Sequence, residues 1–563
     1  MKFLPAQLAF FLKNKQSERN VGFLIKFFLL ISVLVIAYSL IFHVIMEHEG
    51  KNYSFITGFY WTMTVMSTLG FGDITFTGDL GKAFSIVVLI TGVILLLIML
   101  PFTFIQFFYA PWLEAQSKSR VPRKLNGLVQ GHVLITNFGP IAMALIERLK
   151  QYGHSYALIL PDMQQVLDLV DQGYTALLGE LDDPRTWRNA SVQTAAMVVA
   201  TNDDMKNTAT VFMVRQIAPK IVTVASAERK DSCEILQLAG CHLTFQFMDM
   251  LGQALARRSL GKASRATLIG RFEELAIAES PVMRTKLVGR TIQDIALRQK
   301  TGLNVVGLWD RGHFMLPKAD TRLESSMVLV LAGSERQLAA YDAFIGERKT
   351  SQAPVLILGG GRVGRAAAKA LHDGNVAYRV VEKNPHRLDT ADENYINGSA
   401  ADHDTLVQAG IAKAPSVIIT THSDEVNIYL TIYCRRLRPD IQIISRATLD
   451  RNINVLHSAG ADLVMSHASM AASTIINILT PGRLLMLTEG LNIFRYPVPG
   501  ALTGKKLSES GIREKAACSV IAIIREGITD INPDPLEPLK AGEEMLMIGT
   551  IEAEKAFAEN YLQ

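Results

Sequence analysis

This sequence has little charge and almost no cysteine. Of its 563 residues, 20% are charged against 49% apolar, and the mean hydropathy is +0.20. That balance is too oily for an ordinary soluble enzyme and too charged for a chain held wholly in lipid. The four cysteines, Cys233, Cys241, Cys434 and Cys518, show no CxxC spacing, which excludes a disulfide scaffold and leaves reduced core residues. No proline-rich or low-complexity tract is present, and apolar surface is ample to offset chain entropy, so disorder is excluded. The net charge is only +4, from 57 basic and 53 acidic residues, so a nucleic-acid footprint is missing as well. Domains run to about 100–200 residues, so a chain of this length implies three or more folding units.

Charge is most completely missing before residue 110. Residues 21–46 carry Lys26 alone, and residues 83–109 carry no charged side chain. A helix rises about 1.5 Å per residue and a hydrocarbon core is about 30 Å thick, so each run is long enough to span. A cleaved signal peptide fits the first run poorly, because its apolar core is too long and no small-residue cleavage site comes after it. Lys2, Lys13, Lys15 and Arg19 precede the first run, and Lys118, Arg120, Arg123 and Lys124 lie beyond the second. Both flanks are therefore expected on the cytoplasmic side of the cell (inner) membrane, in a multi-pass protein with cytoplasmic N- and C-terminal regions. Within the N-terminal stretch 1–20, MKFLPAQLAFFLK is either a short interfacial helix or a frayed end.

Between the spans, residues 54–67 are apolar, aromatic and uncharged, which is unusual for an outer loop. The run is too short to cross a bilayer, so it reads as a half-span that enters and returns on one side. Non-helical backbone at such depth is tolerated only where it is buried in protein or lines a wet cavity. The next six residues are Thr68-Leu69-Gly70-Phe71-Gly72-Asp73. Glycines at 70 and 72 permit backbone angles that let successive carbonyls point one way.

This stretch resembles the selectivity filter of potassium channels, in which rings of backbone carbonyls stand in for the water around a dehydrated ion. The resemblance implies ion sites made by the carbonyls of Thr68, Leu69, Gly70 and Phe71 with the Thr68 hydroxyl, in a ring of four subunits. Gly72 continues the turn and Asp73 would sit at the outer mouth. The preceding short helix would aim its negative end at the cavity. Phe71 stands where the family usually has tyrosine, which removes a hydroxyl that braces the filter. In the second span, Gly92 and Pro101 are the backbone weak points and the candidates for a gating hinge, although membrane helices also carry both without moving.

Beyond the linker 110–128, the sequence repeats. GHVLITNFGPIA from Gly131 matches APVLILGGGRVG from Ala353, Tyr156 recurs as Tyr378, and LAGCHL near Gly240 returns as SAGADL near Gly460. The unit is too long for a solenoid and reads as a duplicated domain. Short β-branched runs alternating with amphipathic helices imply a doubly wound parallel sheet in each copy. Each copy ends in a tail of short paired strands, such as LNVVGLWDRGHFMLP and CSVIAIIREG. A Rossmann lobe followed by a small lobe resembles the regulator-of-potassium-conductance (RCK) domain. The expected fold is thus an α-helical membrane pore domain, 21–109, with pore helix and filter at 54–73, followed by two α/β Rossmann-like RCK domains. The first would span 129–345 (lobes 129–270 and 271–345) and the second 352–563 (lobes 352–486 and 487–563), each with a small α+β C-terminal lobe. The resemblance further implies a homotetramer in the lipid bilayer, with eight RCK domains in a gating ring.

The copies differ in their nucleotide fingerprint. In the second, Gly359-Gly360-Gly361-Arg362-Val363-Gly364 is a full GxGxxG between strand and helix, suited to a pyrophosphate at the helix N-terminus. Glu382, ending the next apolar run, is placed to accept from a ribose. NAD, NADH or an adenine nucleotide (ADP or ATP) is expected; the acid at 382 disfavours a 2′-phosphate, although Lys383 and Arg387 keep NADP open. In the first copy the glycine positions read Asn137, Gly139 and Ala142, Leu160 aligns with Glu382, and Asp162 comes after Pro161, so the fingerprint is broken. Family resemblance adds Gly398, Ser399, Asp424 and Arg446, with Ser399 standing where an acid is common. Glu180, Asp182 and Asp183 could hold calcium or be solvated loop acids. The histidines, His372, His386, His403, His422 and His457 among them, show no metal spacing and read as surface residues.

Together these features predict no enzyme but a potassium channel, passing K+ passively and gated by nucleotide, with divalent cations as a further possible ligand. A membrane-tethered NAD-dependent oxidoreductase is the alternative, and it leaves the pore motif unexplained and lacks a catalytic constellation beside the cofactor.

Overall fold

Two long apolar segments form the first unit of the computed structural model, which describes residues 15–109, 120–125, 129–260, 266–272, 274–283, 285–346, 353–388, 392–481, 484–486, 491–531 and 533–562. The chain divides into two compact units, Met1–Val121 and Pro122–Gln563. The MKFLPAQLAFFLK segment and most of the linker 110–128 lie outside the described residues.

In the first unit, helix α1 (Lys15–His48) and the run from Asp79 to Thr103 are long and apolar enough to cross a membrane. The second helix starts at Asp79, earlier than the uncharged run that marks it in the sequence. Gly78 is its N-cap and Asp79 lies in its first turn, where a carboxylate suits the helix dipole. Between them, α2 (Phe55–Met66) begins at Ser54, whose hydroxyl accepts from the Thr57 N–H at 3.3 Å. An aromatic core joins the three: Phe42 stacks on Trp61 at 4.9 Å, and Phe76 and Phe84 close around Trp61. Tyr38 donates across to Thr91 at 3.0 Å.

Helix α3 (Asp79–Gly92) does not continue as a simple α-helix. Residues Val93–Met99 are π-helical, Leu100–Phe104 return to α, and Ile105–Tyr109 are π again. Pro101, which has no N–H to give, falls in the first turn after the first π segment. Gly92 has a packing reason: a Cβ there would stand 2.3 Å from the Met66 carbonyl oxygen, so only glycine lets α3 touch the end of α2.

The second unit holds two copies of one architecture. Strands β1 (Val133–Ile135), β2 (Tyr156–Leu160), β3 (Ala176–Leu178), β4 (Met197–Ala200), β5 (Val222–Ser226) and β6 (Leu243–Phe245) form a parallel sheet in the order β3-β2-β1-β4-β5-β6. After a five-stranded lobe, β7 (Thr267–Phe272), β8 (Leu275–Pro281), β9 (Asn304–Asp310), β10 (His313–Met315) and β11 (Met327–Gly333), the pattern starts again. Strands β12 (Val355–Leu358), β13 (Tyr378–Glu382), β14 (Tyr395–Asn397), β15 (Ser416–Ile419), β16 (Gln442–Ala447) and β17 (Leu463–Ser466) take the order β14-β13-β12-β15-β16-β17. The register repeats too, Val133 facing Tyr156 and Val355 facing Tyr378. A second antiparallel lobe completes the unit, built on β18 (Leu484–Met486), β19 (Leu491–Pro497), β20 (Ser519–Arg525), β21 (Ile528–Ile531) and β22 (Glu544–Thr550). Each parallel sheet reverses its winding beside its first strand, which is where such sheets bind ligands.

The copies exchange helices. Helix α5 (Phe247–Leu260) leaves the first sheet and packs on α6 (Arg362–Asp373) of the second, and α8 (His467–Leu479) packs on α4 (Pro140–Gln151) of the first. Gly252 makes the first contact close, since a Cβ there would lie 2.4 Å from the Val363 carbonyl oxygen. One buried core consequently runs through both copies, from Leu251 and Leu255 to Val363, Ala367 and Leu371. Tyr152 donates to Glu554 at 2.8 Å across the same boundary.

Candidate functional site

This scaffold carries two sites, one in each unit. In the first, α2 ends at Met66 and the chain turns into residues 68–73. Thr68, Gly70 and Gly72 take positive φ of 62°, 43° and 75°, alternating with residues of ordinary φ. The Thr64 carbonyl accepts from the N–H of Leu69 and of Gly70, at 2.9 and 3.2 Å, which ties the strand to the helix that precedes it. Leu69 and Phe71 are exposed, and nothing lies within 4 Å of a Cβ built on Gly70 or Gly72. Among the described residues, then, nothing covers Gly70 and Gly72, and this segment is not in a dry core.

Phe71 lacks a hydroxyl, and a neighbour supplies one. Its ring stacks on Tyr60 with centroids 6.5 Å apart and planes 6° from parallel. The Tyr60 hydroxyl donates to Asp73 Oδ2 at 3.1 Å, bracing that carboxylate from α2. Beyond it, Glu49 at the end of α1 accepts from the N–H of Thr77 and of Gly78, at 3.0 and 2.9 Å, and these two bonds hold its carboxyl pKa down to about 2.

The second site lies at the carboxyl end of β12. Gly359 has φ +114°, a conformation that favours glycine. A Cβ on Gly364 would come within 1.9 Å of the Gly359 carbonyl oxygen, while one on Gly361 would meet nothing within 4 Å. The loop is thus tight beneath and open above, which is the shape a phosphate needs to approach the N-terminus of α6. Glu382 is only 6% exposed; its Oε2 accepts from Gly360 N–H at 2.7 Å and its Oε1 from Asn384 N–H at 2.8 Å. Arg362 begins α6 and pairs with Glu228 of the first copy at 3.0 Å.

The other candidates divide into two kinds. Gly398 and Ser399 come directly after β14, and the Ser399 hydroxyl accepts from the Ala401 N–H at 3.2 Å, serving a local turn. Lys383 is exposed. Asp424, opening α7 (Asp424–Leu437), is buried and already engaged: it accepts from Thr448 N–H at 2.7 Å, Leu449 N–H at 3.1 Å and Asn452 at 2.7 Å. Arg446, at the end of β16, is 5% exposed, and its Nε and one terminal nitrogen have no hydrogen-bond partner among the described residues. Burial pushes its proton affinity down, against the pull of nearby Asp424.

The first copy is built differently at the same points. Asn137 donates to the Thr201 carbonyl at 3.0 Å, and Phe138 packs edge-on against Tyr174 with centroids 5.2 Å apart. Asp162 caps the next helix by accepting from Gln165 N–H at 2.7 Å. Of the three loop acids, Asp183 caps the helix Pro184–Asn189 and pairs with Arg185, and among the described residues no group of three His, Cys, Asp or Glu side chains comes together. Among the histidines, His457 corrects the surface reading. It is buried, its Nδ1 lies 3.1 Å from the Ala461 carbonyl, and it packs under Gly312 of the first small lobe. Cys241, Cys434 and Cys518 are buried and Cys233 half-buried, all free. Sequence reasoning missed His467, at the start of α8; its signal was that the matching position in the first copy is Phe247.

A pore-like hairpin joined to two Rossmann repeats defines the class, a membrane channel protein with tandem regulatory repeats. The sequence families that match say the same: Ion channel over residues 30–109, TrkA-N domain over 133–246 and 355–467, and TrkA-C domain over 277–346 and 493–561. The solved GsuK channel is 35% identical, with a likeness covering 96% of this chain and 99% of that one at a TM-score of 0.58. The chain belongs to the family of potassium channels with tandem RCK domains. The GsuK channel bound to NAD is 34% identical over 96% of this chain, at a TM-score of 0.56. Potassium channel protein 1 of Methanocaldococcus jannaschii is 28% identical over 210 residues, and the match spans 35% of this chain and 63% of that protein.

Proposed function

We propose that four copies of this chain form a potassium-selective pore in the cell membrane, and that NAD(H) or an adenine nucleotide in the second copy's crevice sets its opening. The observation that carries the pore reading is the alternation of positive φ at Thr68, Gly70 and Gly72, with open space beside both glycines. Such alternation turns successive carbonyls to one side, where they replace an ion's hydration shell. The carbonyls of Thr68, Leu69, Gly70 and Phe71 and the Thr68 hydroxyl line the ion path, and Asp73 stands at the mouth. Three other copies cover the exposed face of this strand.

In the crevice, Gly359, Gly361 and Gly364 shape the turn. Arg362 and Val363 open the helix that receives the pyrophosphate, and Glu382 accepts from a ribose. Arg446 supplies two unused donors, and Lys383 and Gly398 border the ribose. Ser399 and Asp424 act through the loops that they hold. The residues fit such a ligand, because a buried guanidinium with unpartnered N–H groups requires an acceptor. The NAD-bound form of GsuK supports the same ligand class. Ligand moves the gate only by binding one state better than the other. The exchanged helices α5 and α8 join the crevice to the first copy, which follows the linker 110–128, and Gly92 and Pro101 border the π segment of the inner helix, where a gate would hinge. The N- and C-terminal regions face the cytoplasm.

Flux into proteoliposomes tests this. Potassium should permeate in preference to sodium, and NAD should change the rate in one direction. Equal sodium and potassium flux sinks the pore reading; a rate indifferent to NAD and to adenine nucleotides sinks the gating reading.

A further inference from the structure

Deep in the second crevice, Arg446 has a buried neighbour to which the nucleotide fingerprint gives no role. His467 is the first residue of α8 and is 5% exposed. Its Nδ1 is buried and, among the described residues, has no hydrogen-bond partner. The groups facing it are Arg446 on β16, Asp424 on α7 and His422 in the loop after β15, with Arg362 of α6 facing Arg446 in turn. From the first copy, α4 approaches through Arg148, which donates to Ser469 at 3.0 Å. On α5, Arg257 and Arg258 line a cavity beside Met470, and Arg258 is paired with Glu279. Asp424 does not hydrogen-bond to Arg446, because the loop at 448–452 engages it.

The Arg446 guanidinium is thus buried with no hydrogen-bonded anion among the described residues. A buried guanidinium with two unsatisfied nitrogens is costly unless something negative meets it. The ring beside it presents Nδ1, buried and without a partner among the described residues. A neutral imidazole adds positive charge to meet an anion only by gaining a proton. The first copy, whose fingerprint is broken, has Ser226 and Phe247 at the two matching positions.

We infer that Arg446 and His467 together form the phosphate-binding floor of the second crevice, and that His467 takes up a proton from solvent when ligand phosphate binds. The ring then carries a proton on both nitrogens, and Nδ1 donates to a phosphate oxygen. No covalent bond between heavy atoms changes. Burial and the Arg446 charge hold the free imidazole's pKa down to about 4, so the ring is neutral before ligand arrives. An anion supplies the charge that reverses this. Affinity for a phosphate ligand therefore rises as pH falls, and the site reads ligand and proton together. The contact sits two residues from Ser469, where the second copy hydrogen-bonds the first.

This inference rests on the reading of the crevice as a nucleotide site, and the test separates the two. The full-length channel in detergent is titrated with NAD by calorimetry at pH 7, in two buffers of different ionisation enthalpy. The difference in heat gives the protons taken up. Wild type should take up a measurable fraction of one proton per NAD. His467→Phe, which installs the first copy's residue, should abolish the uptake and weaken NAD about tenfold, the value of one charged hydrogen bond. His467→Gln should recover part of the affinity with no uptake. Zero uptake by wild type, or uptake unchanged in His467→Phe, overturns the inference and leaves the nucleotide site standing. Failure of wild type to bind both NAD and ATP overturns the site, and the inference with it.

Discussion

The two Rossmann copies share sheet order and strand register, yet they differ around one crevice. The first has Asn137, Phe138, Leu160, Ser226 and Phe247 where the second has Gly359, Gly360, Glu382, Arg446 and His467. Two polar positions beside it do not differ. Asp204 accepts from the N–H of Glu228 and of Arg229, as Asp424 does from Thr448 and Leu449. Asn207 donates to the Ser226 carbonyl, as Asn427 does to that of Arg446. Polar groups present in both copies hold the fold together, and those confined to the second copy are the ones with room for a ligand. Asp424, which family resemblance assigns to the ligand, belongs by this test with the fold.

The largest break in the comparison comes from Gly364→Ala. Its Cβ has no space against Gly359, so NAD binding should fall by about two orders of magnitude or more, with a stability loss of about 1–3 kcal/mol. The reciprocal Ala142→Gly in the first copy should leave NAD binding unchanged, as calorimetry would show. Next, Glu382→Ala strands the N–H groups of Gly360 and Asn384 and should weaken NAD about ten- to hundredfold. Leu160→Glu should not create a second site, because Phe138 still stands where Gly360 does.

Asp204→Ala and Asp424→Ala should each lower thermal stability by a similar amount, about 1–3 kcal/mol. If Asp424→Ala removes NAD binding with no change in melting temperature, Asp424 is a direct ligand contact after all. The pH profile sharpens the contrast between His467 and Phe247. The folded pKa of about 4 lies below the unfolded value of 6.5, so between these limits the unfolded chain binds more protons. Stability of the ligand-free protein should then fall as pH drops through that window, by about 1.4 kcal/mol per pH unit at most, and His467→Phe should flatten the fall. Smallest of all is Glu228→Gln. The pair with Arg362 is half-exposed, so its loss should cost under about 1 kcal/mol in melting experiments.

Much of the architecture was legible because it is written in local pattern. Two uncharged runs, a glycine-spaced filter stretch and a repeated strand-turn-helix sequence are enough to name a pore and a duplicated RCK domain. Glu382 could be set beside the glycine loop because strand register brings those positions together. Other features depend on distant contacts that no window contains. The exchange of α5 and α8 requires Gly252 to meet Val363, and the burial of His457 requires Gly312 from another lobe. Hydropathy sees side chains and is blind to backbone bonding, so the π segments after Gly92 leave no trace in it. His467 was readable only by asking what the first copy has in its place.

The central claim is that one copy binds and its twin does not. Calorimetric stoichiometry of NAD on the full-length channel tests it most directly. One NAD per chain, lost in Glu382→Ala and kept in Ala142→Gly, is the result expected. Two per chain, or one that survives Glu382→Ala unchanged, contradicts it.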